Sequence, residues 1–167
     1  MITRLIPRRV FFTSGVDTHS EYLKSFEVAL RDAGIEKFNL VTVSSILPPN
    51  CEIVSREEGL GGLSPGEIVF CVMSRISSNE PRRILSASVG CALPYDINRH
   101  GYISEFHAYG EHAQEVGDHS ERLARSMYST WTNEAPLRTL SYPRSFSVDE
   151  HGNWMTVISA AVFTIEN

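Results

Sequence analysis

The sequence predicts an α+β fold in a single domain. Runs with strand character outnumber runs with helical period, and the two do not alternate regularly, so layered α+β packing is favoured over a doubly wound sheet. The run Val157-Ile158-Ser159-Ala160-Ala161-Val162-Phe163 is apolar enough to need cover on both faces, which makes it a central strand. The chain has 167 residues and 42% hydrophobic content, enough for one continuous core, so residues 1–167 are read as one domain.

Arg9-Val10-Phe11-Phe12-Thr13-Ser14 reads as a short strand closed by Gly15. Leu23, Phe26, Leu30 and Ala33 recur at helical spacing over 21–33, where Thr18 and Glu21 stand at capping-box distance and Gly34 supplies the stop. A strand at 38–43 follows. Residues 48–66 carry prolines, acidic residues and Gly59, Gly61, Gly62 and Gly66, the signature of a movable surface loop that can cover a site. The runs 67–76, 83–93 and 101–109 read as strands separated by turns at Pro94-Tyr95-Asp96 and Arg99-His100-Gly101. Helical period returns at 119–131 through Leu123, Met127 and Trp131, and strands at 137–147 and 154–165 close the chain.

A net charge of -5 argues against nucleic acid or an anionic membrane as partner and favours a cationic small molecule. Cys51, Cys71 and Cys91 form no Cys-x-x-Cys pair, so a disulfide framework is not encoded and a reducing interior is expected. No segment has membrane-spanning length, and the N-terminal Met1-Ile2-Thr3-Arg4-Leu5-Ile6-Pro7 is soon interrupted by charge and proline. The expectation is a soluble, cytoplasmic protein. His107, His112 and His119 match no zinc spacing, so no metal is expected. Gly59-Leu60-Gly61-Gly62 lacks the Lys-Ser/Thr of a phosphate loop, and Cys51 has no histidine partner visible by spacing.

Chemistry concentrates at Ser44-Ser45, which follows the strand at 38–43 and precedes Ile46-Leu47-Pro48-Pro49. The Ser45 hydroxyl can attack the Ser44 carbonyl and convert the amide into an ester. Elimination releases the Ser44 carboxylate and leaves dehydroalanine, whose imine tautomer takes up water and loses ammonia to give a pyruvoyl group at the head of the downstream fragment. An amide is a poor electrophile, so the step calls for a distorted backbone and donors aimed at the oxyanion. Pro48 and Pro49 restrict the local dihedrals and favour an irregular turn. The plainer reading is a strand that ends in loop residues.

The block from Phe26 to Pro49, with its Ala33-Gly34-Ile35 helix end, Asn39-Leu40 and Ser44-Ser45-Ile46-Leu47-Pro48-Pro49, resembles the processing region of the pyruvoyl-dependent arginine decarboxylase family. Further resemblance lies in Cys51-Glu52-Ile53-Val54, in Ser86 to Pro94, in Gly101-Tyr102-Ile103-Ser104-Glu105-Phe106 and in Ala160-Ala161-Val162-Phe163. The resemblance implies cleavage between Ser44 and Ser45, giving a β chain of residues 1–44 and an α chain of 45–167 that starts with a pyruvoyl made from Ser45. It also implies a four-layer αββα sandwich, assembled as trimers or dimers of trimers with active sites between neighbours.

Glu105 matches the family's acid, which protonates the carbon that has lost carbon dioxide; the alternative is an exposed strand carboxylate. Asn39 matches an asparagine that donates to the oxyanion or to the substrate carboxylate, unless its amide is simply bonded to nearby backbone. Glu27 stands where the family has Asp against the substrate guanidinium, with an extra methylene and with Lys24 and Arg31 at ion-pair spacing. The expected reaction is L-arginine to agmatine and carbon dioxide. The alternatives are another basic amino acid, or an uncleaved oligomer that only binds a ligand.

Overall fold

The computed structural model describes residues 4–165. It is α+β, with three helices and two sheets. The five-stranded sheet has the order β2-β5-β9-β1-β4 and the four-stranded sheet β3-β7-β6-β8. These elements are β1 Arg9–His19, α1 Tyr22–Ala33, β2 Asn39–Thr42, β3 Ile46–Leu47, β4 Glu52–Ile53, α2 Arg56–Gly61, β5 Ile68–Ser78, β6 Ile84–Leu93, β7 Gly101–Tyr109, α3 Ala113–Thr132, β8 Arg138–Ser147 and β9 Trp154–Thr164. Helix α1 packs on β1 and β9, and α3 packs on β6, β7 and β8.

Strand alternation sorts the core. Phe11, Cys71, Ala160 and Val162 lie with Leu30 and Ala33 of α1. Val10, Phe12, Val72, Ala161 and Phe163 meet Val89, Cys91 and Ile103 of the other sheet. Successive residues of β9 thus face opposite ways and are all covered, which is why its sequence is apolar without alternation and why it sits mid-sheet, as predicted. Each fully buried aliphatic side chain here contributes about 1.5–3 kcal/mol.

Gly15 does not close the first strand. Strand β1 runs on to His19, in register with β9 from Arg9↔Thr164 to His19↔Trp154. A Cβ at Gly15 would fall on the Ala29 carbonyl oxygen and 2.8 Å from the Ala33 nitrogen, so the glycine permits close approach of α1. The predicted capping box is also absent: Thr18 lies inside β1, and Glu21 is an extended N-cap whose N–H donates to His19 Nδ1 at 3.0 Å. The stop at Gly34 is as expected, with φ 78° and its N–H directed at the carbonyls of Leu30 and Arg31.

Residues 48–66 are not a free loop. Ser55 accepts the Glu58 N–H at 3.1 Å and starts α2, and a Cβ on Gly59 would strike the Phe11 ring. Arg56 donates to Thr13 Oγ1 at 3.1 Å and to the Ala33 carbonyl at 3.2 Å, tying α2 to the end of α1. The glycines that suggested mobility include one needed for packing. Helix α3 starts six residues earlier than its periodicity indicated, because His112 donates its N–H to Glu115 Oε2 at 2.7 Å and stabilises a first turn poor in apolar residues.

Candidate active site

The serine pair lies where the chain changes sheets. Upstream, the Val43 N–H donates to the Cys71 carbonyl at 2.9 Å and prolongs the parallel pairing of β2 with β5. Downstream, Ile46 and Leu47 pair antiparallel with Tyr102 and Gly101 of β7, while the Ser45 carbonyl accepts the Ile103 N–H at 2.8 Å. The Ser44–Ser45 link therefore bridges two separately anchored strands. Both ends are held by hydrogen bonds that do not depend on the bond between them.

Left-handed φ among the described non-glycine residues occurs at Asn50, Arg82 and Asn133, not at either serine. The distortion expected at the pair is thus not expressed as left-handed backbone. Asn50, at φ 59°, completes the turn in which the Cys51 N–H donates to the Pro48 carbonyl at 3.2 Å.

Ser44, Ser45 and Glu105 line one cleft of about 350 Å³, walled by apolar groups that include Val72, Ile103, Leu123 and Met127. Glu105 is an exposed residue overall, yet burial by its surroundings raises its carboxyl pKa above the usual carboxylate range, with His107 opposing part of the shift. The cleft thus combines a hydroxyl, a backbone carbonyl and an acid biased toward its protonated form. Leu123 and Met127 were legible as one apolar helix stripe, but nothing in their spacing signalled that they face this cleft. The Ile103 N–H, a backbone donor, has no side-chain signature at all.

Asn39 stands at the other end of β2. Its Nδ2 donates to the Gly66 carbonyl at 2.8 Å, and it lines a second cleft of about 710 Å³ with Phe26, Leu30, Met73 and Arg75. Glu27 follows Phe26 on α1 but does not line that cleft; its Oε1 accepts from Arg31 Nε at 2.7 Å and its Oε2 lies 3.1 Å from Lys24 Nζ. The Arg31 hydrogen bond holds its carboxyl below the ordinary value against an opposing burial effect, and Lys24 adds to the lowering. Within one chain, Ser44, Ser45 and Glu105 are brought together, whereas Asn39 lines the second cleft and Glu27 lines neither.

Burial pushes the Cys51 and Cys91 thiols up to about 12, and that of Cys71 to about 11 with help from the Glu105 charge, so none is primed as a nucleophile. His119 stacks on Phe106 at 3.8 Å between centroids. Among the described residues no group of three or more His, Cys, Asp and Glu is placed to hold a metal, and no helix is long and apolar enough to cross a membrane.

Fold and cleft define an α+β protein with an enzyme-like site, in which hydroxyl, carbonyl and acid share a largely apolar hollow. Residues 9–167 match the family described as pyruvoyl-dependent arginine decarboxylase. The chain is 78% identical over 165 residues to pyruvoyl-dependent arginine decarboxylase 1 of Methanosarcina acetivorans, covering 99% of this chain and 100% of that one. It is 72% identical to pyruvoyl-dependent arginine decarboxylase 1 of Methanosarcina mazei over the same shares. With the pyruvoyl-dependent arginine decarboxylase of Methanocella arvoryzae it shares 62% identity, over 96% of this chain and 98% of the relative. The chain belongs to the pyruvoyl-dependent arginine decarboxylase family, and its prosthetic group is a pyruvoyl. The crossover fits such a group: a serine follows the link, its carbonyl is held by a backbone N–H, and an acid faces the same hollow.

Proposed function

We propose that this chain is an autoprocessed decarboxylase that converts L-arginine to agmatine and carbon dioxide with a pyruvoyl group made from Ser45. The observation that carries the reading is the Ser44–Ser45 link crossing between sheets beside Glu105. Ser45 Oγ attacks the Ser44 carbonyl, and the two fragments, 1–44 and 45–167, stay in place because Val43 is tied to Cys71 and Ser45 to Ile103. The group supplies a ketone that condenses with the substrate amine and takes up the electron pair released with carbon dioxide. The Ile103 N–H fixes the neighbouring carbonyl of residue 45. The apolar walls at Val72, Leu123 and Met127 exclude water. Glu105, whose carboxyl pKa is raised by desolvation, delivers a proton to the substrate α-carbon.

The contacts of α1 with one sheet and α3 with the other support a four-layer αββα order. Asn39 and Glu27, remote from Ser45 in one chain, receive a role if a neighbouring copy brings them over the Ser45 cleft, as in a trimer with sites between subunits. Val41 and Ile46, each 41% exposed, and Ile68, 63% exposed, offer apolar surface along that edge. Asn39 then meets the substrate carboxylate or the processing oxyanion, and Glu27 the cationic tail. The expected location is the cytoplasm. Intact mass of the purified, active protein tests the reading: two fragments divided at residue 45, the larger lacking a free amine, support it, and an unbroken active chain overturns it.

A further inference from the structure

Glu27 Oε2 is closed to solvent and meets no hydrogen-bond donor in good geometry among the described residues, although Lys24 Nζ stands 3.1 Å away. Oε1 is differently placed, since the Arg31 guanidinium, four residues on, holds it at 2.7 Å. Both cations come from the same helix face, and their side chains remain 43% and 56% exposed, so each can swing into solvent. Lys24 Nζ therefore stands within the distance of Oε2 at which a cationic ligand of that oxygen would stand. Arg31 meanwhile keeps the carboxylate from rotating.

We propose that Lys24 is an internal counter-ion that competes with the substrate's cationic tail for Glu27 Oε2 and so sets the KM of the site. The inference rests on the reading of Glu27 as the seat of that tail. The exchange costs little for a guanidinium. An ammonium makes a single point contact on a flexible stem, whereas a guanidinium offers two parallel N–H donors that engage both carboxylate oxygens. The substrate thus replaces a poorly aligned ion pair with a forked one, while Arg31 acts as the positioning residue for the acceptor.

Steady-state kinetics on Lys24→Met, Lys24→Arg, Glu27→Gln and the Lys24→Met/Glu27→Gln pair test this, with complete self-cleavage verified by intact mass in each. Removing the competitor in Lys24→Met is expected to lower the KM for arginine about two- to fivefold, the scale of an exposed ion pair, with kcat little changed. Lys24→Arg keeps the charge but grips Glu27 with a fork, and is expected to raise KM; simple charge repulsion would leave it where it was. In the Glu27→Gln background the Lys24→Met effect disappears. An unchanged KM in Lys24→Met, or one that falls equally with Gln at position 27, overturns the competitor role. If Glu27→Gln alone leaves KM for arginine unaltered, the assignment of the tail to Glu27 fails, and the competitor with it.

Discussion

At the scale of single residues, the proposed reading gives Ser45 and Glu105 separable duties. Ser45→Ala removes the attacking hydroxyl and the source of the prosthetic group, so it is expected to give a folded, single 167-residue chain without activity on a denaturing gel. Glu105→Gln keeps shape and polarity but cannot lend a proton; cleavage should go to completion while kcat falls about 100- to 10,000-fold. The raised Glu105 pKa also fixes the sign of a stability effect. As pH rises, the unfolded chain loses this proton first, so the native state is penalised above the ordinary carboxylate range, and the penalty grows until the folded pKa is passed. Glu105→Gln should therefore melt above the parent at pH 8, and the gap should close as pH falls below the ordinary carboxylate pKa. A melting difference independent of pH would show that Glu105 is not desolvated in the folded chain.

At the scale of elements, the cleft depends on how closely α3 lies on the four-stranded sheet. Gly90 of β6 sits under that helix, and a Cβ there would fall on the Ser120 carbonyl oxygen and 2.7 Å from Ser104 Oγ. Ser104 itself donates to that carbonyl at 2.5 Å. Gly90→Ala must push α3 outward, at about 1–3 kcal/mol, which lowers the melting temperature by roughly 2–12 °C in a domain of this size. Leu123 and Met127 ride on α3, so turnover is expected to fall alongside stability while self-cleavage persists. The long strands and the stop of α1 were legible because apolar period and Gly34 act locally. The extension of β1 through Gly15 and the seating of α2 on Phe11 were not, because both glycines answer to a neighbour distant in sequence. The two-residue strand β3 escaped notice for the same reason: its partner, β7, lies more than fifty residues on.

At the scale of the whole molecule, Asn39 and Ser45 line different clefts. The Ser44-Ser45 pair is contiguous and so visible in the sequence, but alone it reads as the end of a strand, and only the resemblance of the block from Phe26 to Pro49 gives it a chemical role. The company of Glu105 and Ser45 in one cleft could not be read there, since it is created by the crossover between sheets. Asn39 points away from that cleft and is bonded to the Gly66 carbonyl. A strand rises about 3.3 Å per residue, so six residues of extended chain place Asn39 some 20 Å from Ser45 along β2 and its continuation. One copy cannot close that distance without unravelling the strand, but a neighbour can if the contact is head to tail. Such a contact presents the Asn39 face of one subunit to the Ser45 face of the next, and it closes into a ring where the rotation between copies completes a full turn. Co-expression then separates the two geometries. Ser45→Ala and Asn39→Ala are each expected to be inactive alone, yet random mixing should regenerate intact sites at about a quarter of interfaces, where the Asn39→Ala copy supplies Ser45 and its neighbour supplies Asn39. Activity near that fraction, together with a trimeric mass by light scattering, is the expected result. Mixed oligomers that form but stay inactive would place the complete site within one chain.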